Sequence, residues 1–242
     1  MILHQNKNKG FTLIEILIAM AISGILLAGI TTAYTTQLRN HVTQQMVVDM
    51  HQTIRGAMYI MQREIRMAGC DPTGNAGAGI TTAQDNSIQF TMDIADGLDN
   101  DGDGRVDEHD ENISDGDTND GNEQIRYALT ASGDLGRATG AGTLRALAEN
   151  IDAINFVYLD GANPPAVIPT PVTAAGLPDI RAIQITIVAR SGENIPGIFY
   201  RHTDNRVYQN QQGTVILDMS LAPDNFRRQL LTAEVKCRNL GL

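Results

Sequence analysis

The residues best suited to bind a ligand in this chain of 242 residues lie in the stretch "DNDGDGRVDEHD", residues 99–110. Carboxylates alternate along its first half, a glycine at the sixth position permits a sharp turn, and further oxygen donors follow. Ca²⁺ takes about six to eight oxygens at roughly 2.3 to 2.6 Å, which a tight loop of about twelve residues can supply. The spacing therefore predicts a calcium site. Its predicted ligands are Asp99, Asp101, Asp103, the Arg105 carbonyl, Asp107 and Asp110.

The order of these side chains resembles the calcium loop of an EF-hand, but the flanking sequence does not resemble the EF-hand helices. Asp110 stands at the last position, where that family usually has the longer Glu, so the resemblance implies a site of modest affinity. The flanks, residues 87–94 and 123–130, are rich in β-formers and predict strands, so that the loop is inserted in a hairpin. The alternative is an acidic surface loop that binds no cation.

The negative charge of the chain is concentrated around this loop. The acidic segment, which we define as residues 93–123, holds 13 of the 28 carboxylates and a single basic residue, Arg105. The rest of the chain carries 15 acidic and 17 basic residues and is almost neutral. A local imbalance of this kind indicates a local site and not a disordered chain. The net charge of -10 makes nucleic acid a poor default partner, since phosphate binding requires a basic face.

Glu15 is the only charge in the apolar run "FTLIEILIAMAISGILLAGI", residues 11–30. At about 1.5 Å per residue, a helix of this length covers roughly 30 Å, the thickness of the hydrocarbon core of a bilayer. A carboxylate inside that core costs about 2.5 to 3.5 kcal/mol. An ion pathway would require other polar groups, which the run lacks. The sequence therefore predicts a single membrane-spanning helix in which Glu15 is paired.

The stretch "KGFTLIEILIAMAISGILLAG" resembles the class III (prepilin) signal of type IV pilins and type II secretion pseudopilins. The resemblance implies that residues 1–10 form a leader peptide, which a prepilin peptidase removes by cleavage between Gly10 and Phe11. The same enzyme class then N-methylates Phe11, the new N-terminus. The resemblance also implies that Glu15 meets the charged amine of Phe11 in a neighbouring subunit during assembly.

Apolar residues continue at steps of three or four from residue 34 to residue 65, which predicts an amphipathic extension of the helix. Gly69 and Pro72 are expected to end it. We therefore divide the predicted helix into a transmembrane and filament-core half, residues 11–34, and an amphipathic half, residues 35–68.

Residues 69–242 are predicted to form a globular, β-rich head. The clearest predicted strands are residues 87–94, 123–130, 151–160 and 180–191, and a last strand is expected within residues 227–242. The third and fourth show period-two alternation and are predicted to be antiparallel neighbours. A long helix followed by antiparallel strands gives an α+β, pilin-like fold with a calcium-type loop insertion.

The order of these segments resembles that of the PilW-type minor pilins, through "QREIRMAG", "LAENIDAINFVYLDG", "IQITIVARS" and "VKCRNLGL". This resemblance implies a non-enzymatic structural subunit that primes assembly of a type IV pilus or lies at its tip. No catalytic sequence motif argues for an enzyme. One alternative is a minor pseudopilin of a type II secretion system. Another, from a different class, is a membrane-tethered calcium-dependent binding module or adhesin.

The resemblance also implies the partners and the location of the protein. The partners are other pilins, contacted through the N-terminal helix, the prepilin peptidase and N-methylase, and the assembly machinery of the inner membrane. Lys7 and Lys9 keep the N-terminus in the cytoplasm. The protein is thus expected to cross the bacterial inner membrane once with its head in the periplasm, and then to enter an extracellular filament.

The two cysteines, Cys70 and Cys237, lie far apart and fit no metal-binding spacing. If the head is exported, a single disulfide between them is the leading interpretation. The alternative is two buried free thiols.

We expect the loop at residues 99–110 to bind Ca²⁺ in preference to Mg²⁺, with an affinity on the order of 10⁻⁴ to 10⁻⁵ M. Mg²⁺ requires near-octahedral geometry and gives up water reluctantly, which a flexible group of carboxylates does not favour. Calorimetry and thermal melting of a head fragment lacking about the first 34 residues measure binding and the stabilisation that accompanies it. Asp101→Asn combined with Asp103→Asn should abolish both. If the unsubstituted head melts at the same temperature in millimolar Ca²⁺ and in chelator, the loop is an acidic surface loop that binds no cation.

Overall fold

The computed structural model describes residues 10–94, 116–119, 121–192 and 203–240. The chain divides into two compact units, Met1–Met46 and Val47–Leu242. Helix α1 spans Leu13–Met67, so that its first part belongs to the first unit and its last part to the second.

In the first unit, α1 is apolar and exposed from its first residue. It is long and apolar enough to cross a membrane. Its apolar side chains contact water in the isolated chain; Leu13, Ile25 and Leu27, for example, are all more than 60% exposed. A helix with apolar residues on every side requires lipid or other helices around it. This part of α1 therefore agrees in composition with the predicted membrane-spanning half.

The second unit contains two antiparallel sheets and a hairpin. The first sheet runs in chain order: β1 (Ile80–Ala83), β2 (Ser87–Thr91), β3 (Gln124–Leu129), β4 (Leu135–Thr139) and β5 (Arg145–Ala148). The second has the order β11 (Arg228–Lys236), β8 (Ala182–Arg190), β6 (Ile151–Leu159) and β7 (Val167–Ile168). Strands β9 (Val207–Gln209) and β10 (Val215–Asp218) form the hairpin, and a short 3-10 helix covers Leu177–Asp179. The predicted α+β arrangement is confirmed.

The core of the second unit lies between the last part of α1 and the two sheets. The helix contributes one buried face, formed by Met50, Ile54, Met58, Met61 and Ile65. These residues belong to the stripe predicted from the sequence. The earlier members of the stripe, Tyr34 and Leu38, lie in the first unit and are exposed. The stripe is therefore buried only where the helix meets the sheets.

The predicted pairing of residues 151–160 with 180–191 is confirmed, because β6 and β8 are antiparallel neighbours. The sequence analysis did not predict β1, β4, β5 or β7. Strand β5 reads "RALA", a helix-favouring composition, and becomes a strand by pairing with β4. Local propensity is overridden here by the sheet.

The end of α1 is determined by Gly69, as expected. Gly69 has a φ of +75°, which residues with a Cβ rarely adopt. A Cβ at this position would lie 2.4 Å from Leu240 Cδ2, so the C-terminal segment also needs the glycine. Its backbone N–H donates to the Thr91 carbonyl at 2.9 Å. The helix end is thus joined directly to β2.

Glu64 connects the buried face of α1 to the first sheet. Its carboxylate accepts a hydrogen bond from the buried Tyr127 hydroxyl on β3 and pairs with Arg137 Nε on β4 at 3.0 Å. Burial, with the Glu64 charge beside it, raises the pKa of Tyr127 well above its usual range, so the hydroxyl remains a donor. A buried carboxylate with two donors fixes the position of the helix on the sheet.

Arg228 is the centre of a second ionic cluster. Its side chain is 4% exposed, and it contacts Asp152 on β6 at 2.5 Å, Asp204 at 3.2 Å and Asp224 at 2.6 Å. Asp204 and Asp224 lie on either side of the β9–β10 hairpin in sequence, and their backbones pair. The guanidinium group therefore holds the hairpin against the second sheet.

The same cluster controls the acidity of Asp204. Burial alone would raise the pKa of this carboxyl, but hydrogen bonds from Arg206, Tyr208 and Arg228 outweigh burial and hold it at about 2. The Arg228 hydrogen bond also lowers the pKa of Asp224. Because these folded-state values lie below those of an unfolded chain, the cluster stabilises the fold above about pH 4 and loses that contribution as the pH falls towards 2.

Arg228→Met should lower the free energy of unfolding by up to about 3 to 5 kcal/mol at pH 7, since it removes a buried cation that three carboxylates share, among them the fully buried Asp204. The difference from the unsubstituted protein should shrink below about pH 4, where the carboxylates of the variant become protonated. Denaturant unfolding across this pH range measures both effects. Arg145→Met, at an exposed position of β5, is the control and should change little. An equal loss at pH 7 and pH 3 would contradict the ionic explanation.

Candidate processing and assembly site

The N-terminal site is built on the first turn of α1. Thr12 precedes the helix and acts as its N-cap: its hydroxyl accepts a hydrogen bond from the Glu15 N–H at 3.4 Å. The Glu15 carboxylate reaches back to the Thr12 N–H at 3.5 Å. These two reciprocal contacts form a capping box, in which a carboxylate at the third helical position satisfies backbone donors. Both distances are long, so each hydrogen bond is weak.

The sequence analysis identified Glu15 but not Thr12, although the T-x-x-E spacing before an apolar run is the usual signal of a capping box. The structure thus shows a local partner for Glu15 in addition to the intermolecular one that the resemblance implies. Because the local contacts are weak and exposed, the carboxylate remains available to a stronger, charged partner.

The bond between Gly10 and Phe11 lies outside the helix and is accessible. Gly10 is exposed and has no regular secondary structure, and a Cβ added there would meet no other atom within 4 Å. Phe11 is 82% exposed. A protease binds its substrate as an extended chain, and this short non-helical segment offers one. The rest of the predicted leader, residues 1–9, lies outside the described residues.

One side of the first unit carries small residues next to Glu15. Ala19, Ser23 and Gly24 lie on this side with Phe11 and Leu27, and together they line a shallow, largely apolar groove. Small side chains allow the backbone of a second helix to approach closely. The groove that ends at Glu15 is therefore suited to an apolar helix.

The predicted calcium ligands at residues 99–110 lie outside the described residues. The ends of the acidic segment are described, and they are held together: the Met92 and Ile94 N–H groups donate to the Glu123 carbonyl and to Glu123 Oε1 at 2.9 and 3.0 Å. Asp93 and Glu123 are both buried. Strands β2 and β3 on either side are paired, so the prediction of an insertion in a hairpin is confirmed for its flanks. No potential metal-binding group of three side chains occurs among the described residues.

Cys70 is half-buried just after α1, and Cys237 is buried just after β11. Both are free thiols, so the predicted disulfide is not formed in this structure and stays a prediction. The segments that carry them are neighbours, because Asn239 Nδ2 donates to the Arg66 carbonyl at 3.4 Å. Burial raises the pKa of Cys237 to about 12 and also raises that of Cys70, so that little thiolate forms at neutral pH.

Comparison with known proteins identifies the N-terminal site. Residues 5–31 match the family model described as "Prokaryotic N-terminal methylation motif". The prepilin signal predicted from the sequence is therefore confirmed, and the chain is type IV pilin-like at its N-terminus. The motif and the apolar helix that follows it indicate anchoring in a membrane.

The comparison with solved structures found a type IV-like pilin from Thermus thermophilus. It aligns with 79% of this chain and 98% of its own length, at 16% sequence identity and a TM-score of 0.45. No curated protein matches the chain.

We expect Phe11 to be the N-terminus of the mature protein, which intact-mass analysis of membrane-extracted protein measures. Gly10→Val should leave the leader attached, because a β-branched side chain obstructs the peptidase, while the open surroundings of Gly10 leave the fold unchanged. Membrane association of the variant is the control for its folding and insertion. A mature chain that begins near residues 32–34 would instead show cleavage by an ordinary signal peptidase.

Proposed function

We propose that this prepilin-type chain is a minor pilin, a non-enzymatic subunit that primes the assembly of a type IV pilus or lies at its tip. After cleavage, the methylated amine of Phe11 in one subunit pairs with the Glu15 carboxylate of its neighbour. The prepilin peptidase and the assembly machinery of the inner membrane are its processing partners. The head faces the periplasm before assembly and the exterior afterwards.

The observation that carries this proposal is Glu15 at the start of an exposed apolar helix within a methylation motif. Among the described residues, the Glu15 carboxylate accepts one weak hydrogen bond, from the Thr12 N–H. In a bundle of helices, a charged amine offers it a much stronger interaction at low dielectric. Neighbouring apolar helices would also cover the side chains that are exposed in the isolated chain. Assembly thus pairs the charge of this segment and buries its apolar surface.

A minor role is supported by the four stretches that resemble PilW-type minor pilins. Two of them, residues 147–161 and 183–191, correspond largely to β6 and β8, which pair with each other in the second sheet. The resemblance thus extends from the N-terminal motif into the core of the head.

Calcium binding by residues 99–110 is part of the proposal. The paired strands β2 and β3 and the hydrogen-bonded ends of the acidic segment provide a rigid base for a loop. A bound Ca²⁺ would offset the repulsion among its carboxylates and stabilise the head by mass action. Its role would be structural.

Two substitutions distinguish the effect of the proposed charge pair on assembly from the effect of helix capping. Glu15→Gln keeps an acceptor for the Thr12 N–H, because Gln also serves in a capping box, but removes the charge. Thr12→Val removes the cap hydroxyl and keeps the charge. We expect Glu15→Gln to be inserted and cleaved but to fall at least tenfold in sheared filaments, and Thr12→Val to remain there. Immunoblots of filaments against the membrane pool measure incorporation, and intact mass confirms cleavage.

The opposite pattern, with Glu15→Gln incorporated and Thr12→Val excluded, would show that capping is what assembly requires. If the unsubstituted protein is absent from sheared pili and co-purifies with a type II secretion apparatus, it is a pseudopilin. If it purifies with neither, it is a membrane-tethered module and the filament proposal is wrong.

A further inference from the structure

A groove in the second unit runs along one edge of β6. It touches six consecutive residues of that strand, 152–157, and therefore lies beside the backbone edge, since the side chains of a strand alternate between its two faces. Its other walls are formed mainly by the β1–β2 turn, by β7 with the residues after it, and by β10 with the turn before it. The volume is about 490 Å³, within the range of about 300 to 1,000 Å³ that is usual for binding pockets.

The edge of β6 in this groove offers backbone hydrogen-bonding groups. Successive residues of a strand direct their N–H and C=O groups to opposite neighbours. The Phe156 N–H donates to the Asp85 carbonyl at 2.7 Å and so points away from β8. Ile154, two residues earlier, directs its N–H and C=O to the same edge, and neither group has a backbone partner among the described residues. The edge can therefore give one donor and one acceptor to an added strand.

Strand β7 covers only the end of this edge. It pairs with the last two residues of β6 and stops where Pro169 follows. Proline is disfavoured inside a sheet, because its φ is fixed and it has no N–H. The chain then turns to the first sheet, since the Val172 N–H donates to the Ala83 carbonyl at 2.9 Å. As a result, β7 leaves the groove open along the middle of β6.

The walls of the groove combine apolar side chains with negative charge. Val167 on β7 and Val215 on β10 are 48% and 50% exposed, and both line the groove. Its charged lining residues are Asp85 and Asp152, and none of the described residues that line it is Lys, Arg or His. Asp152 is already paired with arginines, whereas Asp85 is exposed. The groove therefore suits an apolar side chain that has a cationic group next to it.

We propose that this groove binds an extended peptide segment of a partner protein, which adds to β6 as a strand. The peptide backbone accepts from the Ile154 N–H and donates to the Ile154 C=O. In this mode of recognition the main-chain hydrogen bonds give affinity and the alternate side chains give specificity. A β-branched side chain of the peptide contacts Val167 and Val215, and a lysine or arginine lies near Asp85. The site lies in the head alone, so it does not depend on the assembly proposed for the N-terminal helix.

The test uses the full mature protein in detergent and an array of synthetic pentapeptides composed of Val, Ile, Thr, Lys and Arg. Each peptide has a matched form with N-methylated backbone amides, which keeps the side chains but cannot donate to a strand edge. We expect a subset of the unmodified peptides to bind, and their N-methylated forms to bind at least tenfold more weakly by fluorescence anisotropy. If no peptide binds, or if N-methylation has no effect, the proposal is wrong.

Substitutions in pairs locate the binding in the groove. Val167→Asn combined with Val215→Asn should weaken binding at least tenfold, because it removes the apolar contact on two walls. The matched control is Val48→Asn combined with Val207→Asn, at valines that are 51% and 44% exposed and lie outside the groove, and it should leave binding unchanged. Equal effects of the two pairs would place the peptide elsewhere and overturn the proposal.

The charge of Asp85 is tested in the same way. Asp85→Asn should weaken the binding of peptides that contain lysine or arginine, and the loss should be smaller at 500 mM NaCl, where salt screens exposed charges. Asp49→Asn, at an exposed position of α1, is the control for the change in net charge. Equal losses for both variants would contradict the contact with Asp85.

Hydrogen exchange at Ile154, measured by mass spectrometry with fragmentation, identifies the mode of binding. We expect its amide to exchange faster than that of Asn155, which faces β8, and to slow at least tenfold when peptide binds. Slow exchange without peptide that becomes faster on dilution would identify a second copy of the chain as the occupant. Slow exchange at every concentration would identify another segment of the same chain. Either result would overturn the proposal.

Discussion

A carboxylate that is removed from water needs hydrogen-bond donors or a cation beside it. This requirement accounts for the contacts of Glu15, Glu64 and Asp204. Among the described residues, the Glu15 carboxylate has one weak donor, the Thr12 N–H. Glu64 has Tyr127 and Arg137, which fix α1 on the first sheet. Asp204 has Arg206, Tyr208 and Arg228, which fix the β9–β10 hairpin. Glu64 and Asp204 thus have their partners within the head, whereas among the described residues the Glu15 carboxylate has one weak donor, and it lies in the segment proposed to assemble.

The two parts of α1 have different surroundings, and the amino-acid composition of each part is suited to its own. Over residues 13–30, in the first unit, the helix is exposed and almost entirely apolar, so this segment requires lipid or other helices around it. In the second unit one face is buried against the sheets and the other carries arginines in water. The proposed filament contact of the protein corresponds to the first of these surfaces, the exposed apolar segment.

Several features could be predicted because they depend on neighbouring residues. The end of α1 follows from Gly69, and the strands β6 and β8 follow from their high content of β-branched and aromatic residues. The N-terminal motif could be recognised because its glycine, threonine and glutamate stand at defined intervals. Strands β4 and β5 could not be predicted, because "LGRAT" and "RALA" have no strand signal of their own and depend on the register of β3.

The sequence alone predicted where the chain is cleaved, and it determined which segment is apolar enough to span a membrane and where the negative charge lies, because each of these depends on consecutive residues. Only the tertiary structure decided which charges are compensated. Arg228 meets Asp152 across 76 positions and Arg137 meets Glu64 across 73, and no local pattern relates such residues. Arg63 and Arg137 are the same residue type, yet Arg63 is exposed to solvent whereas Arg137 pairs with the buried Glu64 carboxylate. The physical reason is that folding brings distant backbones together, and the free energy of a charge depends on what then lies beside it.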